Sequence, residues 1–465
     1  MMLQDLRRST PKLAFLVVAA LGFAACVIAD WPGHFPPDAI NQLAQGRAGV
    51  YNFWHPPVMA WLLGLSDRIV PGAPLFFVFQ AMLFFAALSA LALVRGRGWL
   101  AVILAALMCA SPLVLIYQGL VVKDVLFADA SLAGFAALAW AVRLWRRRLA
   151  RLALCALAMT FLTLAMLARQ NGFIVAAAGA LTLAFVDLTM NRGERATRPA
   201  LRFAMTAVLV LAIVSLATAL ATFEFRAHSD HEPEDARQWA TLQIYDLAGA
   251  LRRDPRLELP VLHRAAPATE AFVRRDAVSA FDPARIDPMY RLARWNPILD
   301  QPTRPIGAQW RQLIFTSPAL YLTLRADAFW QVFATPRIQS CAAVMVGVDP
   351  GQPNMLRAAG LTARETDKDD WDGDYASAFL DTPVFSHIAY AVLAVALLIL
   401  AARDLARGVN PELVATVGLL VGAFAFSASF FIISLACDYR YLYFLDVAAM
   451  AALAQRVAIW RSPAP

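Results

Sequence analysis

Charge is scarce in this sequence. Asp, Glu, Lys and Arg make up 16% of its 465 residues, against about 25% in soluble globular domains. With 60% hydrophobic residues and a mean hydropathy of +0.56, that shortage excludes an ordinary water-soluble domain. Lysine is scarcer still: of 41 basic residues, only Lys12, Lys123 and Lys368 are lysines. The five cysteines (Cys26, Cys109, Cys155, Cys341 and Cys437) form neither a C-x-x-C pair nor a Cys/His cluster, so no zinc site is suggested. Internal repeats and low-complexity segments are absent from the pattern, which excludes a repeat array or a biased tail. The first apolar run follows Arg7 and Arg8 but is not followed by an A-x-A-like cleavage site; Asp30 and Trp31 come next. The N-terminal segment therefore reads as an uncleaved first span.

What is abundant is long apolar runs of about 18–22 residues, enough to cross a hydrocarbon core of ~30 Å. The sequence describes an all-α polytopic membrane protein with about ten transmembrane helices, near 12–29, 74–94, 98–117, 125–143, 151–168, 173–190, 203–223, 384–402, 412–436 and 441–458. Three parts follow: an N-terminal transmembrane module (1–223) with outer loops at 30–73 and 118–124, a large mixed outer loop domain (224–383), and a C-terminal transmembrane module (384–465). The net charge of +7 reads as orientation bias rather than as a nucleic-acid footprint. One set of span ends carries eighteen Lys and Arg residues, and the short loops of the other side carry five. The positive-inside rule then places both termini in the cytoplasm and the large loop outside. Within that loop, "DARQWATLQIYDLAGALRR" (235–253) reads as a polar helix. "WRQLIFTSPALYLTLRADAFWQVF" (310–333) reads as an amphipathic helix broken near Pro318, lying on the membrane or on the spans.

Several ionisable residues do not follow from orientation. They sit in the short outer turns: Asp38 and His55 in "FPPDAINQLAQGRAGVYNFWHPP", Lys123 and Asp124 in "VVKDVLF", Arg169 in "LARQNGF", and Asp438 and Arg440 in "CDYRYLY". Charges at membrane depth are costly and mark sites. Cations suit a phosphate, and a carboxylate suits a general base toward a hydroxyl. Each residue also has a structural reading. Asp38 is placed to cap a short helix and Asp124 to cap the fourth span. His55 precedes two prolines and suits a helix start or packing. Arg169 and Arg440 could snorkel to headgroups, and Asp438 could simply pair with Arg440. Asp129 and Asp446, inside spans, read as packing polar networks. Mixed acid and base gathered on one side is not what snorkelling alone produces.

With these motifs in place, the chain resembles the glycosyltransferase-C superfamily, polytopic membrane enzymes that use lipid-phosphate-linked sugars and include protein O-mannosyltransferases and aminoarabinose transferases. The shared features are an acidic residue in the first outer loop, a charged second outer turn, an arginine after a later span, an Arg-Tyr near the C-terminus and a large outer loop before the last spans. A lone Asp38 stands where an adjacent acidic pair is the family's pattern. The resemblance implies transfer of a sugar from a polyprenyl-phosphate donor to an envelope glycan, lipid or protein acceptor, by direct displacement with inversion. Asp38 would take the acceptor's proton. Lys123, Arg169 and Arg440 would neutralise the departing phosphate. Asp124 would orient Lys123 or help bind a divalent cation, no other cofactor being implied. His55 and Tyr441 would be secondary contacts to phosphate or sugar. The expected setting is the bacterial inner membrane, with the site facing the periplasm. There Cys341 and Cys437 would pair and tie the loop to the active face, with free buried thiols as the alternative. Two other readings share the architecture: a transporter or flippase of an anionic lipid-linked substrate, and a lipid-linked saccharide polymerase or ligase. Against transport, the sequence has no inverted repeat and no matching pair of Gly/Pro-interrupted spans.

Overall fold

A computed structural model describes residues 2–96, 98–191, 198–229, 235–349, 351, 353–408 and 411–459. Arg97, Arg192, Arg195 and Arg461 of the charge-bias count lie outside the described residues. Among the described residues the chain is helical, with four isolated β-bridges and no strand. The N-terminal part comprises α1 (Met2–Asp30), α2 (Pro37–Ala48), α3 (Val58–Asp67), α4 (Pro74–Leu93), α5 (Trp99–Ala110), α6 (Pro112–Leu115), α7 (Lys123–Arg143), α8 (Arg148–Ala168), α9 (Phe173–Met190) and α10 (Pro199–Ala227). The large loop holds α11 (Asp235–Arg253), then four short helices, α12 to α15 (Pro260–Ala265, Pro267–Phe272, Asp287–Tyr290 and Trp295–Leu299). It continues with α16 (Arg304–Thr316), α17 (Pro318–Ala334), α18 (Pro353–Ala358) and α19 (Asp367–Ser377). The chain closes with α20 (His387–Ala406), α21 (Leu413–Ile433) and α22 (Tyr443–Ile459).

Nine of the described helices are long and apolar enough to cross a membrane, and the bent pair α5–α6 would bring the number to ten if it is counted as one span. The sequence pattern anticipates one straight helix over 98–117. The structure breaks it at Ser111 with a bend of 68°. Ser111 is extended (φ −67°, ψ 136°), because the ring of the following Pro112 disfavours helical geometry at the residue before it. The bend carries the chain into the turn that ends at Gly119 and Leu120. Proline starts helices here as often as it breaks them. Pro37, Pro74, Pro199 and Pro318 each stand in the first turn, where an N–H would have no intrahelical partner.

The centre of the bundle is α7, almost wholly buried against α4, α8, α21 and α22. Its run of Ala, Gly and Ser lets neighbours approach closely; a Cβ at Gly134 would lie 3.1 Å from the Leu162 side chain. At the opposite extreme, α8 and α10 are mostly exposed along apolar faces, as lipid-facing spans are. Outside the bundle, α2 crosses α3 at two glycines. A Cβ on Gly46 would stand 2.3 Å from the carbonyl oxygen of Ala60, and one on Gly64 would stand 2.4 Å from that of Gly46. No larger residue fits there, and the crossing fixes α2, whose first turn carries Asp38.

The large loop packs around two centres. Its first half has a core of its own, including Ile244, Tyr245, Phe272, Trp295 and Leu324. Its second half, including Ile338, Val348, Leu356 and Ala376, joins the core of the spans. The break near Pro318 falls where the sequence places it, between α16 and α17. However, Arg325, one of the spaced arginines, does not face solvent: it is fully buried. Its Nη1 donates to Asp246 Oδ1 at 2.9 Å, its Nε to the carbonyl of Phe431 at 2.9 Å, and its Nη2 to the carbonyl of Ser434 at 2.9 Å. The Trp310 indole donates to the other Asp246 oxygen at 2.8 Å. Phe431 lies in the last turn of α21 and Ser434 is its C-cap; carbonyls there have no intrahelical donors left, and a cation suits the negative end of a helix. Arg325 thus ties the loop core to the end of α21. Substituting Asp246→Ala would strand a buried guanidinium, a loss of about 3–5 kcal/mol for a broken buried pair. The expected result is a clearly lowered melting temperature of the purified protein, part of which returns in Asp246→Leu/Arg325→Met. An unchanged melting temperature in Asp246→Ala would contradict this role.

Candidate functional site

Four turns between helices meet at one end of the bundle, and each contributes ionisable side chains. The first is the start of α2. Pro36 and Pro37 fix the entry, and Asp38 lies in the first turn without a capping hydrogen bond, so the capping reading does not hold. Its Oδ2 accepts from Arg440 Nη2 at 2.7 Å, and its Oδ1 lies 3.4 Å from His55 Nε2. The Asp38 side chain keeps 32% exposure, so its carboxylate reaches solvent. Burial by the surrounding protein would raise its carboxyl, but Arg440, His55 and Lys123 together hold it well below the usual carboxylate range. It is ionised at neutral pH.

His55 comes from the bend before α3. The loop in front of it is held by Gln238 of α11, whose amide donates to the carbonyls of Phe53 and Trp54 at 2.6 and 3.0 Å. The same Gln238 accepts from Gln170 at 2.8 Å, which connects this bend to the turn carrying Arg169. His55 Nδ1 lies 2.6 Å from Lys123 Nζ. An ammonium only donates, so Nδ1 accepts and Nε2 carries the hydrogen that faces Asp38. No described ion pair involves Lys123, whose charge is the least committed of the three cations.

Lys123 opens α7 and Asp124 follows it. Consecutive positions on a helix do not face each other, and the pair separates accordingly. Asp124 does not orient Lys123, as the resemblance implies; it pairs with Arg169, and its Oδ2 lies 3.7 Å from Arg440 Nε. Nor does it cap α7, whose N-cap is Val122 without a side-chain bond. With guanidinium groups facing its oxygens, Asp124 does not fit the donor set of a cation. Arg169 and Arg440 are each 9% exposed, so neither snorkels to headgroups. Arg169 leaves the end of α8 in an extended conformation. It lies over the rings of Phe426, Phe430 and Tyr441 at 5.2–5.6 Å, where cation–π attraction adds to its ion pair. Tyr441 stacks on Phe430 and lies under Arg440 at 5.9 Å.

Arg440 is the hub. Besides Asp38 and Asp124 it binds Asp438, Nε to Oδ2 at 2.7 Å. Burial pushes the Asp438 carboxyl up, while Arg440 pulls the other way. Arg440 Nη1 and Asp438 Oδ1 are buried without a partner among the described residues. The turn carrying both is fastened by the disulfide Cys341–Cys437 and by backbone bonds from Cys437 to Ala284 and from Tyr439 to Cys341. Free thiols, the alternative reading, do not apply to this pair. All seven nominated residues (Asp38, His55, Lys123, Asp124, Arg169, Arg440 and Tyr441) thus lie in one cluster. Asp438, read only as a partner of Arg440, belongs to it too. Gln238 had no signal in the sequence, being a polar residue of a polar helix far from the turns it joins. Inside the spans, Asp129 accepts from Gln118 at 3.1 Å, and Asp446 lies 2.9 Å from His387 and accepts from Tyr439 at 2.8 Å, the packing networks expected of them.

No family model matches the chain, and neither does any curated protein sequence. Among solved structures, the archaeal oligosaccharyltransferase AglB from Archaeoglobus fulgidus, in complex with an inhibitory peptide and a dolichol-phosphate, aligns at 17% identity and a TM-score of 0.41. The alignment covers 96% of this chain and 50% of that one, so this chain spans about half the length of that structure.

The cluster has a pH signature. Burial first, and Lys123 second, hold the His55 imidazole below its ordinary value of 6.5, while Asp38 opposes them. The neutral ring is therefore favoured in the folded protein. Its contribution to stability is complete above pH 6.5 and is lost as pH falls from there through the lowered value. The melting-temperature advantage of wild type over His55→Gln should accordingly shrink between pH 7 and pH 5. A difference that grows on acidification would reverse the sign of the His55 environment.

Proposed function

We propose that the protein is a membrane glycosyltransferase that moves a sugar from a polyprenyl-phosphate donor to an envelope glycan, lipid or protein acceptor, with the site on the periplasmic face. The observation that carries this reading is a solvent-reaching, ionised carboxylate, Asp38, set beside three cations that come from three other turns. The motif resemblance supports it. In the reaction, the acceptor oxygen bonds to the anomeric carbon as the bond from that carbon to the donor phosphate breaks, so the configuration inverts. Asp38 takes the acceptor's proton. Because Asp38 is a weak base beside Arg440, the proton moves late, after bond formation has made the hydroxyl acidic.

The phosphate leaves with growing negative charge. Lys123, whose charge is not consumed by a carboxylate, and the unpartnered Nη1 of Arg440 are the donors placed to receive it. Arg169, Asp124 and Tyr441 hold Arg440 in place. Donors oriented in advance stabilise such charge better than water, which must reorganise. His55 passes a donor hydrogen to Asp38 and an acceptor to Lys123, which fixes both relative to each other.

The test is Asp38→Asn, which keeps shape and hydrogen-bonding size. Loss of a general base costs about 10²- to 10⁴-fold in rate. Transfer of labelled sugar from a polyprenyl-phosphate donor in envelope membranes should fall by that factor, while donor binding survives. Transfer at the wild-type rate in Asp38→Asn would remove Asp38 as the base. Movement of a lipid-linked substrate across vesicles by purified protein without any transfer would favour the transporter reading.

A further inference from the structure

A second group of buried ionisable side chains lies where the end of α1 meets the large loop. Asp30 closes α1, His34 follows it, and Asp372 projects from α19. All three are fully buried, and a donor atom of each lies within 4.8 Å of those of the other two. We propose that Asp30 and Asp372 together bind a hard divalent cation, with His34 as the hydrogen-bond support of Asp30. The proposal does not depend on the transferase reading, because none of these residues belongs to the cluster around Arg440.

The hydrogen-bond pattern distinguishes ligands from supports. The backbone N–H of Gly347 donates to His34 Nδ1 at 2.9 Å. Nε2 therefore carries the hydrogen and faces Asp30 Oδ1 at 3.2 Å. That tautomer makes the ring a donor to a ligating carboxylate, the usual second partner of a metal-bound side chain, and leaves the cation to oxygen atoms. The second Asp30 oxygen lies 3.2 Å from Cys26 Sγ. Asp372 is the independent observation: both of its oxygens are buried, and neither has a partner among the described residues. An unpaired carboxylate held away from water is costly, and burial, together with the neighbouring Asp30, pushes its carboxyl up to about 6. Lys368 and His34 offset this only in part, and the nearby cations spend their hydrogen bonds elsewhere. Arg364 Nη2 donates to Asp369 Oδ1 at 3.3 Å, and Lys368 Nζ donates to the carbonyl of Trp31 at 2.6 Å. Asp369 is also spent on the Thr366 cap of α19. Carboxylate oxygens are the ligands that Mg²⁺, Ca²⁺ and Mn²⁺ take, with water completing the shell.

A cation there would do mechanical work for the rest of the molecule. The segment between Asp30 and Asp38 threads between two backbone partners. His34 N–H donates to Gly119 and the Val121 N–H donates back to His34, while Phe35 exchanges bonds with Gly347 and Asp349. A Cβ on Gly119 would lie 2.3 Å from the Asp30 side chain, so that turn is closed against the carboxylate. Linking Asp30 to Asp372 fastens the first span to α19 and fixes the segment that leads to Asp38.

Mn²⁺ is the probe. Purified full-length protein is stripped with a chelator, and bound Mn²⁺ is counted by electron paramagnetic resonance. The expected result is one Mn²⁺ per chain in wild type and in Asp38→Asn, its loss in Asp372→Asn, and a higher melting temperature with the ion than without. Asp372→Asn removes a buried charge and should fold; its unloaded melting temperature checks this. Folded wild type that binds no Mn²⁺ overturns the proposal whatever the variants do. So does loss of the ion in Asp38→Asn, which would place it in the other cluster. A melting temperature that ignores Mg²⁺, Ca²⁺ and Mn²⁺ but rises from pH 7 to pH 5 would mean that Asp372 holds a proton instead.

Discussion

Arg440 is held by carboxylates from three different turns, and the cluster exists only because those turns are brought to one guanidinium. Asp38 reaches it from the start of α2, Asp124 from the start of α7 and Asp438 from its own turn. A buried ion network of this kind contributes little net stability, because desolvation offsets attraction. What it supplies is geometry. A guanidinium presents its donors in a rigid planar fork, so each carboxylate that binds it is placed in direction as well as distance. Lys123 is left outside this pairing, a ring nitrogen of His55 being its hydrogen-bond partner among the described residues. The arrangement thus separates one cation that joins the turns from one that no described carboxylate pairs.

The scaffold around Arg440 explains why the last outer turn can bear this role. Arg325 takes up the carbonyls at the end of α21, and the disulfide joins the next residues to the large loop. The turn is thereby fixed on both sides before it presents Asp438 and Arg440. On the opposite side, the Gly46–Gly64 crossing fixes α2, and backbone bonds hold His34 and Phe35 against Gly119, Val121 and Gly347. The large loop is therefore part of the site's frame: α11 supplies Gln238, and the segment after α17 supplies Cys341.

Much of this was readable in advance, for a physical reason. Apolar runs of membrane length have few alternatives to a helix, so the span positions emerge from the sequence. The exception is 98–117, where hydropathy continues through Ser111 and Pro112 while the backbone does not. The site was readable because ionisable residues in short outer turns are rare in this chain, and rarity singled them out. Their pairing was not. Lys123 and Asp124 are neighbours in sequence, yet helix geometry sends one to His55 and the other to Arg169. Arg325 carried no mark among many arginines, and its burial depends on Asp246, Phe431 and Ser434, all distant in sequence. Asp30 and His34 stand four residues apart, but only the fold brings Asp372 to them.

The central claim is that the outer cluster receives the phosphate of a lipid-linked sugar donor. The most direct measurement is a cryo-electron microscopy structure of the protein with a polyprenyl-phosphate bound. The account predicts phosphate oxygens within hydrogen-bonding distance of Lys123 Nζ and Arg440 Nη1, on the side of the cleft that Asp38 faces. A phosphate bound at another part of the bundle, with Lys123 still held only by His55 and Arg440 Nη1 still unpartnered, would contradict it.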